Sequence, residues 1–210
     1  MTLGIHYVIA PKPTQVVVQS QSVANILAIM GGLPPTGGDE RHIGVNEWVD
    51  RVRLALSEEQ LYRITLVTWG LGVEGLLNCV RDFDARDNFD QYLNLLEAMP
   101  ARDIRDTCLY WVLHSSHRAV YIDADPITPP SIDYLLASRA QFIDYLRGVT
   151  IKEPIAVNIE DIADLYFDPN YLKSLTVSVL RELWENYFKV EWARHQPEID
   201  RVVAAFAQLD

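Results

Sequence analysis

Residues 168–210 read DPNYLKSLTVSVLRELWENYFKVEWARHQPEIDRVVAAFAQLD, and their reading decides the class of fold. Asp168 offers a side-chain acceptor at a helix N-cap, and Pro169 stands at the first helical position, where a missing N–H costs nothing. Phe167 and Leu172 fall at the two positions of a hydrophobic staple. From there Leu172, Leu175, Val179, Leu180, Leu183, Trp184, Tyr187 and Phe188 recur at three- and four-residue steps, so they share one broad apolar face that demands burial. Arg181 and Glu185 are four apart on the other side, where an exposed pair adds a few tenths of a kcal/mol. The ring of Pro197 would strike the carbonyl of Ala193, which predicts a kink or restart near Arg194 to Gln196. A second amphipathic run follows in Ile199, Val202, Val203, Phe206 and Leu209. It carries no stop signal, so the natural protein is expected to continue past Asp210.

Composition narrows the classes of function. With 210 residues, 49% of them hydrophobic and 22% charged, the chain has material for one large core or two small ones. No apolar run approaches the roughly 20 residues that span a bilayer, and MTLGIHYVIAPKP lacks the basic start and cleavage site of a secretory signal. A cytoplasmic protein without membrane partners is the expectation. The net charge of −11 opposes direct contact with nucleic acid or an anionic membrane, since both need Lys and Arg concentrated on one face. Cys79 and Cys108 lie 29 apart with no CxxC spacing, so they read as small buried side chains, not as a disulfide framework or soft-metal site.

Most of the remaining chain reads as helix. Leu3 to Ala10 alternates like a strand, with Ile5, Tyr7 and Ile9 on one side, and Thr14 to Ser20 is ambiguous. Ser22 to Met30 is helical and ends at Gly31-Gly32. Asn46 can cap a helix bearing Trp48, Val49, Val52 and Leu56, and Ser57-Glu58-Glu59-Gln60 is a capping box for the next. Asn88 or Asp87 caps Phe89 to Leu96, and Pro100 ends that helix and opens another through Ile104, Cys108, Trp111 and Val112. After a proline-rich break at Asp125 to Pro130, an apolar pattern runs from Ile132 to Leu146 and closes at Gly148. Asn158 caps a short helix with Ile159, Ile162 and Tyr166. No repeat or low-complexity linker divides residues 1–210, which are expected to form a single domain.

Four patterns could carry chemistry. Gly70-Leu71-Gly72-Val73-Glu74-Gly75 satisfies the dinucleotide fingerprint G-x-G-x-x-G. Against it, the residues upstream follow a helix-capping box, and Glu74 would set a carboxylate beside a pyrophosphate; a glycine-rich helix terminus is the simpler reading. His114 and His117, with Asp123 and Asp125 nearby, could hold a transition metal, although histidines also suit a helix C-terminus without one. The acid pairs Glu160/Asp161 and Asp82/Asp84 sit in polar surroundings and read as surface charge. No nucleophile, P-loop or zinc-protease motif is present, so no catalytic residue and no cofactor is assigned. Trp184, Tyr187, Phe188, Trp192 and His195 are at helical spacing; core packing explains most of that set, and an apolar pocket between helices, with Tyr, Trp and His as polar handles, is the alternative.

The stretch WENYFKVEWARHQPEIDRVV, preceded by DPNYLKSLTVSVLRELW, resembles a segment that lies ahead of the winged-helix domain in a group of ArsR-like bacterial transcription regulators. Trp48-Val-Asp-Arg-Val, Ala55-Leu-Ser-Glu-Glu-Gln60 and Phe89-Asp-Gln-Tyr-Leu-Asn-Leu-Leu-Glu-Ala-Met-Pro100 extend the likeness, which spans about Asn46 to Phe206. The resemblance implies an effector-sensing or dimerising region attached to a DNA-binding module that this sequence does not contain. It also lacks the metal-sensing cysteine motif of some such regulators.

The sequence therefore predicts a mainly α, bundle-like domain with a short N-terminal strand or hairpin. Its expected partners are a small-molecule effector, held by Trp184, Tyr187, Phe188, Trp192 and His195, and a second copy of the chain. Two rival readings stay open: an enzyme working through Gly70 to Gly75 or through His114 and His117, and a helical interaction module with no ligand.

Overall fold

The computed structural model describes residues 22–34, 47–82, 87–120, 129–150 and 157–206. Helices dominate them, in the order α1 (Ser22–Gly31), α2 (Glu47–Ala55), α3 (Glu58–Leu71), α4 (Val73–Cys79), α5 (Phe89–Ala98), α6 (Ala101–Val120), α7 (Ile132–Leu136), α8 (Arg139–Thr150), α9 (Ile159–Phe167), α10 (Pro169–Leu183), a π-helical segment (Trp184–Phe188) and α11 (Lys189–Phe206). The described residues contain no strand, and the strand predicted at Leu3 to Ala10 and the cap predicted at Asn46 lie outside them.

Capping chemistry sets the boundaries. The Ser57 hydroxyl accepts from the Gln60 N–H at 3.2 Å while the Gln60 side chain accepts from the Ser57 N–H at 2.8 Å. Asn88, Asn158 and Asp168 each cap their helix through a side-chain oxygen, and Pro169 follows Asp168 as the first helical residue. The pattern from Ile132 to Leu146 is two helices instead of one. Ser131 caps α7 and Ser138 accepts from the Gln141 N–H as α8 begins, so two serines supply the break, and Gly148 falls inside α8.

One contiguous apolar cluster runs from Val23 to Phe188, with α10 at its centre against α3, α5, α6 and α9. Leu172, Leu175, Val179, Leu180 and Leu183 are all buried, as their spacing requires. α4 lies tightly on α6: a Cβ built on Gly75 would stand 2.9 Å from the Cys108 Cα, so only glycine permits this approach. Gly72, at φ 73°, turns the chain from α3 directly into α4.

The junction leaves a carbonyl at the end of α3 buried, the far end of α4 leaves another, and a tyrosine satisfies each. The Tyr166 hydroxyl donates to the Gly70 carbonyl at 2.6 Å, and the Tyr92 hydroxyl to the Leu76 carbonyl at 2.8 Å. Burial pushes the Tyr166 phenol well above its ordinary value, and the neighbouring Cys108 and Cys79 thiols add to the shift.

The predicted restart at Arg194 to Gln196 is not observed. α11 runs on through Pro197, and the irregular turn lies upstream, where the Lys189 N–H donates to the Trp184 carbonyl five residues back. Ala193, whose carbonyl loses a helical partner to Pro197, is exposed, so water can serve that oxygen. Side-chain pairs one turn apart also brace the segment: Arg194 to Glu191 at 2.7 Å, Gln196 to Asp200 at 2.6 Å and Arg201 to Glu198 at 3.7 Å. Arg181 and Glu185 do not pair either. Arg181 reaches Glu97 on α5 at 2.7 Å, while Glu185, on the widened turn, meets Lys189 at 3.1 Å.

Candidate functional site

The π segment and the first turns of α11 carry all five residues predicted to bind an effector, and the fold sorts them into two groups. Phe188, Trp192 and His195 line one apolar cleft of about 120 Å³, closed on the other side by Ile26 and Ile29 of α1 and Trp48 of α2, with Glu191 at its rim. Trp48 packs on Phe188 with ring centroids 5.2 Å apart and planes tilted by 59°. Trp184 does not line this cleft. It is buried against Phe89, centroids 4.9 Å apart, and its indole N–H donates to the Asp90 carboxylate at 2.8 Å. Tyr187 is half-buried and packs against the core.

The polar edge of the cleft is a small ion cluster. Glu191, only 17% exposed, takes Arg194 at 2.7 Å and stands 3.1 Å from Nε2 of His195. Outside the cleft Lys189 bridges Glu185 and Asp90, and its hydrogen bond to Glu185 raises the ammonium above its ordinary value against an opposing cost of burial, with Asp90 adding to the rise. The cleft thus offers an almost wholly apolar interior with one imidazole and one carboxylate at its mouth, which suits a small, mostly apolar molecule bearing a single hydrogen-bonding group.

Ile26, Ile29, Trp48 and Glu191 belong to the cleft and were not predicted for it. Glu191 precedes His195 by one helical turn, so the pair was legible as an i,i+4 contact. Nothing in the sequence near Ile26 or Trp48 says which helix they will face.

Two larger clefts, of about 690 and 620 Å³, lie along α6 and share Arg81, Asp106 and Thr107. They open broadly to solvent and have mixed linings, so the smaller, more enclosed cleft is the better candidate for recognising an apolar molecule.

Gly70 lies inside α3 and Gly75 inside α4, so these glycines join two helices and do not form the strand–turn–helix in which a pyrophosphate is held. Their close spacing is used for packing, with Gly75 against Cys108. Nδ1 of His114 lies 2.7 Å from the Tyr110 carbonyl and its ring stacks on Tyr110 at 3.9 Å, while the His117 side chain, Asp123 and Asp125 lie outside the described residues. Among the described residues no group of three potential metal ligands converges. Nor is any described helix long and apolar enough to cross a membrane.

Cys79 and Cys108 are both free and buried, as expected, but they also face each other, with Sγ atoms 3.7 Å apart. The contact with Cys79, together with burial, pushes the Cys108 thiol well above its ordinary value. Compared with known proteins, the chain matches no family model, no curated protein and no solved structure.

Proposed function

We propose that this chain is the effector-sensing or dimerising part of a transcription regulator, a single cytoplasmic domain that works with a separate winged-helix DNA-binding module. The observation that supports this reading best is the position of the cleft at the root of α11, between that helix and α1 and α2. A molecule seated there touches the helical body through Ile26 and Trp48 and the departing helix through Trp192 and His195. Any shift of α11 against the body changes those contacts. The molecule therefore binds one placement of α11 more tightly than another, and that difference in affinity is the whole of the signal it can send to an attached module. The π turn at Trp184–Phe188 marks where such a shift would be absorbed, since widened turns are common at functional sites.

The resemblance to the segment ahead of the winged helix in ArsR-like regulators supports the same reading, and so does the acidic balance of −11, which leaves contact with DNA to another module. Two-fold operators favour a homodimer. The effector is small: a cleft of about 120 Å³ falls below the roughly 300–1,000 Å³ of ordinary ligand pockets and near the roughly 150 Å³ that admits benzene.

Indole is a suitable probe, being planar, apolar and equipped with one N–H. Titrated against the chain, it should shift the nuclear magnetic resonances of the Trp48 and Trp192 side chains saturably and leave that of Trp184 in place. The Trp192→Ala variant should lose the response. Unmoved Trp48 and Trp192 signals across a panel of small aromatic and aliphatic probes would remove the sensing role. Light scattering tests the dimer, and parallel titrations with dinucleotides and divalent metal ions, expected to be silent, test the enzyme reading.

A further inference from the structure

Two thiols that meet inside a helix–helix contact can do more than fill space. Cys79 ends α4 and Cys108 lies midway along α6, and their sulfurs are 3.7 Å apart, van der Waals contact. A disulfide needs about 2.05 Å between sulfurs and Cα atoms about 4.4–6.8 Å apart. One turn before Cys79 the two backbones are already close: glycine at position 75 lets α4 come so near α6 that a Cβ there would lie 2.9 Å from the Cys108 Cα.

The two cysteines also differ in access. Cys79 forms part of the wall of the larger cleft between α4, α5 and α6 and retains 4% exposure, while Cys108 behind it has none. A small oxidant entering that cleft reaches Cys79 first. The chain contains two cysteines in all, so each has the other as its sole internal partner.

We infer that Cys79 and Cys108 are a peroxide-oxidisable dithiol that closes to an intramolecular disulfide across the α4–α6 contact. The Cys79 thiolate attacks one oxygen of hydrogen peroxide; the O–O bond breaks, the departing hydroxide takes a proton to become water, and Cys79 is left as a sulfenic acid. The Cys108 sulfur then attacks the Cys79 sulfur as its thiol proton passes to the departing oxygen; the S–S bond forms, the S–O bond breaks, and the second hydroxide leaves as water. In sum two thiols and one peroxide give one disulfide and two waters, with sulfur oxidised and peroxide oxygen reduced. The bond ties α4 to α6 beside the cleft, and thiol reductants reverse it. This inference is independent of the regulatory reading above.

The test uses the whole 210-residue chain, reduced, freed of reductant and exposed to hydrogen peroxide. Thiol titration under denaturing conditions should fall from two to zero, the intact mass should drop by two hydrogens, and a tryptic map should contain a Cys79–Cys108 linked peptide that dithiothreitol releases. In Cys79→Ser the buried Cys108 should stay reduced. In Cys108→Ser, Cys79 should stop at a sulfenic acid that dimedone traps. Either serine variant could lose its fold, and the wild-type map then decides alone. Two persistent thiols in folded wild-type protein would overturn the inference, as would a link between chains or advance of Cys79 to the sulfinic acid with Cys108 untouched.

Discussion

Removing one oxygen atom tests the account of the α3–α4 junction. In Tyr166→Phe the ring stays and the hydroxyl that donates to the Gly70 carbonyl at 2.6 Å is lost. Tyr166 is fully buried, and Gly72 diverts the chain immediately after α3, so that carbonyl has no water to turn to. A buried acceptor left without its donor costs about 1–3 kcal/mol. For a chain of this length each kcal/mol moves the midpoint of thermal unfolding by about 2–4 °C. Tyr62→Phe is the control, because the Tyr62 hydroxyl bonds the Asp161 carboxylate at the exposed surface, where its loss costs under about 1 kcal/mol.

Alkaline pH sharpens the test. The Tyr166 phenol is raised well above 10.0 in the folded chain, first by burial, so the fold keeps a proton that the unfolded chain releases from about pH 10 upward. A raised folded value means that the tyrosine's contribution is complete below pH 10 and is lost as pH rises above it. Wild type should therefore lose about 1.4 kcal/mol from this group by about pH 11, whereas Tyr166→Phe has nothing to lose there. Urea denaturation followed by far-ultraviolet circular dichroism, run for both proteins at neutral pH and then at increasing pH, should show a gap that is widest at neutrality and closes with alkali. Cys108, raised well above 9.0 by its contact with Cys79 and by burial, weakens both proteins alike and cancels from the comparison. A neutral-pH loss no larger than that of Tyr62→Phe, or a gap that stays constant above pH 10, would refute the reasoning.

Three further substitutions probe other parts of the fold. Gly75→Ala should destabilise despite the better helix propensity of alanine, which is worth up to about 1 kcal/mol, because the new methyl meets the Cys108 backbone at 2.9 Å and overpacking costs about 1–3 kcal/mol; thermal unfolding gives the sign. Trp184→Phe removes the N–H that reaches the Asp90 carboxylate at 2.8 Å; a loss of about 1.5–3 kcal/mol in chemical denaturation is expected, nearer the lower end because Lys189 still attends Asp90 at 3.4 Å. Pro197→Ala should raise the helical signal and slow amide exchange around Ala193, with a gain in stability of up to about 3 kcal/mol, since an exposed proline inside α11 offers the fold nothing that the structure reveals.

What could be read from the sequence was whatever depends on neighbours along the chain. The caps at Ser57, Asn88, Asn158 and Asp168 were legible because the capping oxygen and the N–H it serves lie two or three residues apart. The buried face of α10 was legible because its period is the helix's own. The pairing of Cys79 with Cys108 was not, since a spacing of 29 is arbitrary until α4 is laid on α6. For the same reason Tyr166 read as one more core aromatic, and its role as the donor to Gly70, 96 residues away, had no local sign.

The aromatic cluster shows the limit most clearly. Treating Trp184 to His195 as one regular helix put five side chains into one candidate site, but the widened turn at Trp184–Phe188 inserts a residue and rotates everything after it. Trp184 is delivered to Phe89 and Asp90, while Phe188, Trp192 and His195 are delivered to Ile26 and Trp48. Proline, the usual breaker, was the visible signal and pointed ten residues too far along, because Pro197 sits where the freed carbonyl faces water and costs the helix little continuity. Burying both Trp184 and Phe188, each against a different helix, is a demand of packing that α5 and α2 impose from outside the segment. The irregular turn is therefore a tertiary feature, and a substitution in α2 at Trp48 should disturb it more than one at Pro197.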